Sequence, residues 1–227
     1  MNMTVLIVAA THMHEGRCCV GALQLQDASG SIVPIRQWRL LNADRSFPLL
    51  AETSFRVGQV WQVQLEPAPE HRIRPPHTED SYLHASQRIG HLKEPQATRL
   101  YNGLLRNPKI PMVYGDITQL FDGALRQDEN SQSFYLTQSE CPNYSTSFWI
   151  PRHPLLVTEN SYGKLRAVNE SLNINLRYTA VEPKIGCGET IPAGSLLRVS
   201  LARFWRRNED EEPRSYLMLS QFYGTIE

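Results

Sequence analysis

The distribution of apolar and polar positions divides the chain into three stretches. Residues 3–10 are an apolar run rich in β-branched side chains, and residues 18–26 alternate partly between apolar and polar. The turn signal Asp27-Ala28-Ser29-Gly30-Ser31 leads into a third short run, residues 32–38. Together these predict a three-strand meander. Residues 39–48 carry no periodic pattern and are expected to be irregular. Gly58 opens residues 59–66, where Val60, Trp61, Val63 and Leu65 make the clearest strand pattern of the first half, and Pro67 and Pro69 stop it.

The pattern changes at Pro75-Pro76, which forces extended backbone. His77-Thr78-Glu79-Asp80 then has the form of a helix start, with Thr78 as the cap and two acids at the positive end of the dipole. Residues 81–92 and 96–105 are predicted helices, separated by Pro95 and ended by Asn107-Pro108. Residues 117–125 predict a further helical turn. Strand character returns in residues 133–137, 147–150, 155–157, 164–168, 173–181, 195–204 and 215–223. The polar run between the last two, residues 206–214, predicts an exposed hairpin loop.

The expected fold is therefore mainly β with a helical middle segment (α+β), two OB-like small β-barrels joined by helices. Residues 1–76 are assigned to the first barrel, 77–130 to the helical connecting segment and 131–227 to the second barrel.

Composition narrows what such a fold could bind. The 227 residues include 41% hydrophobic and 20% charged side chains, an ordinary globular mixture. Lys plus Arg equals Asp plus Glu at 23 each, so net charge is zero. Broad, nonspecific binding to long duplex DNA needs a basic excess and is excluded as the main activity. Lysine occurs only at Lys93, Lys109, Lys164 and Lys184, so most cations are arginines. Genomic composition explains much of that bias, but it also favours planar recognition of phosphates or bases. Cys18, Cys19, Cys141 and Cys187 form no C-x-x-C pair, which fits free thiols in a reducing, cytoplasmic compartment. The first apolar run is too short to span a bilayer and has no basic region before it, so no membrane or signal segment is expected.

Several constellations were weighed as chemistry. His12-x-His14 with Cys18-Cys19 has zinc-compatible ligand types but poor spacing, so no metal or other cofactor is expected. His77, His84 and His91 recur every seven residues and read as one helix face. A Cys18 or Cys19 nucleophile paired with His12 or His14 lacks an orienting third group. Glu79 and Asp80 read as dipole partners more readily than as acid–base residues, and Gly186-Cys187-Gly188 as a turn or bulge. No catalytic residues are assigned. The stronger signal is arginine interleaved with aromatics at strand ends: Arg36-Gln37-Trp38-Arg39, Arg177-Tyr178 and Arg203-Phe204-Trp205-Arg206-Arg207. OB folds stack bases on such rings while cations track phosphates. The competing reading places Trp38 and Trp205 in the core, with arginines on the opposite strand face.

The opening strand, Gly16-Arg17-Cys18-Cys19-Val20-Gly21, Ile35-Arg36, His77-x-Glu79-Asp80 and the closing pair of strands at residues 196–205 and 216–224 resemble the dual OB-containing domain proteins of prokaryotes. Two stretches depart from that pattern: Glu15-Gly16 stands for Gly-Gly, and Val33-Pro34-Ile35-Arg36 for Trp-Ile-Arg-Pro. The resemblance implies two OB-type barrels, a nucleic-acid or nucleotide ligand, and a place in prokaryotic defence systems. The expected function is non-catalytic recognition of single-stranded nucleic acid, RNA or a nucleotide-derived ligand through Arg17, Arg36, Trp38, Arg39, Arg177, Tyr178, Arg203, Trp205, Arg206 and Arg207. The alternatives are a structural or adaptor subunit that binds a partner protein of a defence system, and, below it, a small hydrolase or nuclease using Glu79, Asp80 and a nearby histidine.

Overall fold

The structure, a computed structural model, describes residues 1–26, 33–72, 74–92, 96–182, 185–206 and 208–226. The predicted turn at residues 27–31, the first residue of the third run (Ile32) and Pro95 lie outside the described residues. Contacts divide the chain into two units. One comprises Met1–Ile110 joined by Ala180–Glu182, and the other Pro111–Thr179 plus the C-terminal stretch up to Thr225.

The first unit is built on five strands: β1 (Asn2–His12), β2 (Cys18–Leu25), β3 (Pro34–Asn42), β4 (Gln59–Pro67) and β5 (Asp80–His91). They close in the order β1-β2-β3-β5-β4. Every junction is antiparallel except β3–β5, which runs parallel over Arg39↔Asp80 to Asn42↔Leu83. β1 is buried on both faces from Val5 to Ala10, which is why it reads as an unbroken apolar run rather than as an alternation. Inside the barrel Val5, Ile7, Val20, Ala22, Trp38, Leu40, Trp61 and Val63 form the core, with Phe55 set edge-on against Trp61 at 4.7 Å. Helix α1 (Gln96–Leu104) follows, and buries Ala97, Leu100 and Leu104 along one face.

The prediction of a helix at residues 81–92 is wrong. Residues 81–91 belong to β5, which pairs along its length with β4 from Gln59↔His91 to Pro67↔Ser81. Thr78-Glu79-Asp80 starts a strand, not a helix, and the histidine spacing marks no helix face. The physical reason is exposure. Alternation arises when one face of a strand is buried, and all of residues 84–91 are exposed. With the strand in place, α1 is the α-helix of the middle stretch, so a helical segment joining two barrels is not what forms. The turn expected at 117–125 is present as a short 3-10 segment, Ile117–Gly123, capped by the Asp116 side chain accepting from Thr118 N at 2.9 Å.

The second unit contains β6 (Met112–Tyr114), β7 (Arg126–Gln127), β8 (Phe134–Thr137), β9 (Thr146–Ile150), β10 (Leu155–Glu159), β11 (Leu165–Asn169), β12 (Ile174–Tyr178), β13 (Thr190–Ile191), β14 (Ser195–Leu201) and β15 (Arg214–Thr225). Its order β10-β11-β12-β15-β14-β9 repeats that of the first unit once β9 and β10 are taken as one first strand, broken at Pro151-Arg152-His153-Pro154. Two prolines cannot donate to a ladder, so the break falls there. The N-terminal piece pairs with the fourth strand (Trp149↔Leu197) and the C-terminal piece with the second (Val157↔Ala167), as the two parts of β1 do. The third and fifth strands again meet in parallel, at Arg177↔Met218 and Tyr178↔Leu219. The partners are as far apart in sequence as Arg39 and Asp80. Among the described residues no helix is long and apolar enough to cross a membrane.

Candidate nucleic-acid interface

In the first unit the predicted site residues are largely engaged in holding the barrel. Strand alternation sends Trp38 inward with Leu40, opposite Ala22 and Val20. Its ring is 2% exposed, and its Nε1 donates to Gln24 Oε1 at 3.1 Å. Arg36 has the same parity as Trp38 and lays its guanidinium over that ring, 4.0 Å from the centroid. Trp38 thus offers no free face to a base, and the core reading describes it. Arg36 itself is exposed. Arg39 points the other way. It is ion-paired with Asp80, and its Nη1 lies 3.1 Å from His77 Nδ1. Burial disfavours its charge, but Cys19 and Asp80 outweigh that, and its affinity for the proton is raised. Arg17 donates from Nη1 to the Phe47 carbonyl at 2.9 Å. The outer surface of β2 and β3 is closed as well: Leu23, Gln37 and Leu41 are buried, and Leu41 packs with Phe47, Ala68 and Tyr82.

Cys18, next to this strand, is a buried thiol. Burial, and then the adjacent Cys19, pushes the Cys18 thiol up to about 11. It is a protonated core group at neutral pH. All four cysteines are free. Among the described residues no three His, Cys, Asp or Glu side chains gather as metal ligands.

The second unit presents its β11–β12 surface differently. Leu176 faces inward opposite Ala167, and Tyr178, two residues on, is 5% exposed in the same row. Tyr178 therefore presents no ring to a ligand. On the outer row Arg177 sits directly opposite Arg166. Arg166 donates from Nε to Asn175 Oδ1 at 2.8 Å, and from Nη2 to Ser133 Oγ and Asn175 O at 3.2 Å each. All these acceptors are neutral. Burial, and then the like charge of Arg177, lowers the proton affinity of Arg166. Among the described residues no carboxylate pairs with either guanidinium, so the two cations face each other uncompensated.

Two loops flank this surface in the chain. The β10–β11 turn is held by Asn160, whose Oδ1 accepts from Tyr162 N at 3.1 Å and Lys164 N at 2.9 Å. Gly163 takes φ +68°, as this turn requires. Tyr162 is left 83% exposed. The β14–β15 loop carries Trp205, which exchanges two backbone bonds of 2.9 Å with Arg214 and keeps 55% of its surface exposed. The core alternative does not describe Trp205. Arg203 and Arg206 are exposed, Arg206 reaching Glu209 O at 3.4 Å, and Arg207 lies outside the described residues. The loop tip, Glu209-Asp210-Glu211-Glu212, is acidic and offsets this basic stem. Glu212 is tied to Ser139 N at 2.8 Å, and Arg214 to Asp128 at 3.0 Å and to Glu211 at 3.8 Å.

In OB folds the second and third strands and the loops L12 and L45 make the ligand surface. Residues 160–164, β11–β12 and residues 202–213 hold those places in the second unit. A family model described as dual OB-containing domain matches residues 3–222, nearly the whole chain. The chain belongs to the dual OB-containing domain family. The strand order above gives the match its physical content, since each half of this dual OB chain has the 1-2-3-5-4 arrangement with its third and fifth strands parallel. A comparison with curated proteins finds no match. The sequence reading had missed Tyr162, Lys164 and Arg166. Their placement appears only when the strand order makes residues 160–164 the L12 loop and sets Arg166 opposite Arg177.

Proposed function

We propose that this dual OB protein is a non-catalytic binding module for a short single-stranded nucleic acid or a nucleotide-derived ligand, held by its second barrel. The observation that carries the reading is the Arg166–Arg177 pair. Two guanidiniums face each other on the outer surface of the second and third strands with no carboxylate between them. An anionic ligand relieves that repulsion and makes charge-assisted hydrogen bonds. Tyr162 and Trp205 supply exposed rings on the flanking loops, and a stacked base is worth roughly 1–3 kcal/mol. Zero net charge and the acidic tip of the second loop suit a small ligand better than a long polyanion. The setting that goes with this reading is a cytoplasmic prokaryotic defence system, as the family resemblance implies.

Fluorescence anisotropy with labelled short single-stranded DNA and RNA tests it, with mononucleotides and cyclic dinucleotides as competitors. Trp205→Ala and Tyr162→Ala are each expected to weaken binding by at least about five-fold while leaving the melting temperature close to wild type. Absence of binding by every one of these probes at low salt would sink the reading.

A further inference from the structure

The fifth strands of the two barrels are finished differently. β5 has a partner on its β3 side only as far as Leu83, where β3 ends at Asn42. It then runs on to His91, hydrogen-bonded to β4 on one side. Among the described residues the opposite edge of residues 84–91 has no strand against it, and all eight residues are exposed, Ile89 at 54%. The equivalent stretch of β15, beyond its last pairing with β12 at Leu219, is buried at Ser220, Gln221, Phe222 and Tyr223. An edge of this length with both faces in solvent presents a row of unpaired N–H and C=O groups. Proteins commonly shield such edges with proline, β-bulges, a covering element or a very short strand; residues 84–91 contain no proline, and the bulges at His84 and Ile89 leave residues 85–88 as the regular run of this edge.

We propose that the outer edge of β5 is a docking site for an extended, acidic segment of a partner polypeptide, which adds to the barrel as an extra strand. Charge selects this occupant. Residues 81–92 include Arg88, His84 and His91 and no carboxylate. His84 already engages Glu66 at 2.9 Å, while Arg88 is exposed and has no ion pair among the described residues. A second copy of the chain, paired antiparallel along the same edge, would bring two Arg88 guanidiniums onto one ladder, with no carboxylate on residues 81–92 to separate them, and like charges across a ladder are destabilising. A strand with Asp or Glu at alternate positions puts its acids on one face beside Arg88 and satisfies the same backbone groups.

The test uses the full chain and a short labelled peptide with glutamate at every second position and valine or threonine between. The peptide is expected to raise anisotropy and to slow amide hydrogen exchange at alternate residues within 85–88, between the two bulges. Arg88→Glu should weaken it roughly five-fold and favour the matching lysine peptide, with an unchanged melting temperature. The same peptide N-methylated at alternate residues should not bind, which needs no variant of the protein. Binding of the N-methylated peptide as tightly as the parent, or no binding of the parent up to millimolar concentration, overturns the proposal. So does a dimer of the free protein in sedimentation with residues 84–91 already protected, which would make a second copy the occupant. An oligonucleotide competitor should leave the peptide bound, so failure of the second-barrel reading and failure of this one are separately visible.

Discussion

The two units, a closed barrel and a larger sheet, share a strand order and put it to opposite uses. In the first, the outer surface of the second and third strands is closed by Leu23, Gln37, Leu41 and the Arg39–Asp80 pair, and the fifth strand is bare. In the second, the same outer surface carries Arg166 and Arg177, which have no carboxylate partner among the described residues, and the fifth strand is buried at residues 219–223. Arg36–Trp38 and Trp205–Arg206 make the point at the scale of single residues. They are alike as sequence, yet one tryptophan is 2% exposed and the other 55%. What separates them is position in the ladder. Trp38 falls on an inward parity of a five-strand barrel, and Trp205 falls where β14 has ended and the chain has entered a loop.

The largest effect that would break this comparison is on stability. Trp38→Ala should cost about 3–5 kcal/mol in urea unfolding, whereas Trp205→Ala should stay within about 0.5 kcal/mol of wild type. Equal losses would mean that the two tryptophans are not different objects. The next effect is on binding. Replacing Arg166 and Arg177 together by Gln should lower oligonucleotide affinity by about 3 kcal/mol, on the order of a hundred-fold. It should also flatten the salt dependence by roughly 0.7 for each phosphate contact removed. Arg36→Gln, in the first barrel, should change neither.

A smaller contrast lies in alkali. Cys18 belongs to the first barrel and is held protonated, its thiol pushed up to about 11 by burial first and by Cys19 second. Its contribution to stability is intact below the unfolded thiol's ordinary range, about 8.5, and is lost as the pH rises toward 11. The loss should be on the order of 2 kcal/mol and absent in Cys18→Ala, measured as the urea midpoint against pH. In the second barrel, burial raises Tyr223, so its response starts from the higher tyrosine range. The smallest effect sharpens the account of the loop. Arg206→Ala should weaken ligand binding by only about two- to three-fold, because Glu209 to Glu212 already neutralise that stem. Anisotropy on the single variant measures it.

Strands with one buried face, or with both buried, were legible in the sequence. β1 announced itself as an apolar run and β4 as an alternation, and the second-half strands fell close to their predicted places because Leu176, Val199 and Leu217 sit in interior rows. β5 was illegible for the complementary reason: with both faces in solvent it has no burial to impress a period, and Thr78-Glu79-Asp80 supplied the look of a helix cap. The site was half legible. Arg177, Trp205 and Arg206 were named, but Arg17, Trp38, Arg39 and Tyr178 are engaged in the fold, and Arg166 and Tyr162 were passed over. Cross-strand neighbours such as Arg166 and Arg177 are set by register, which no local window contains.

The parallel seams have a kinetic meaning. In each unit the third and fifth strands meet in parallel, over Asp80–Leu83 in one and Met218–Leu219 in the other, and the partners lie equally far apart along the chain in both. Closing a loop of given length carries nearly the same entropic cost whatever its side chains, and contact order governs refolding rate more than stability does. The two units therefore meet the same loop-closure cost at this seam, and a difference in how fast it forms would report the strands and side chains around it rather than the length of chain it closes.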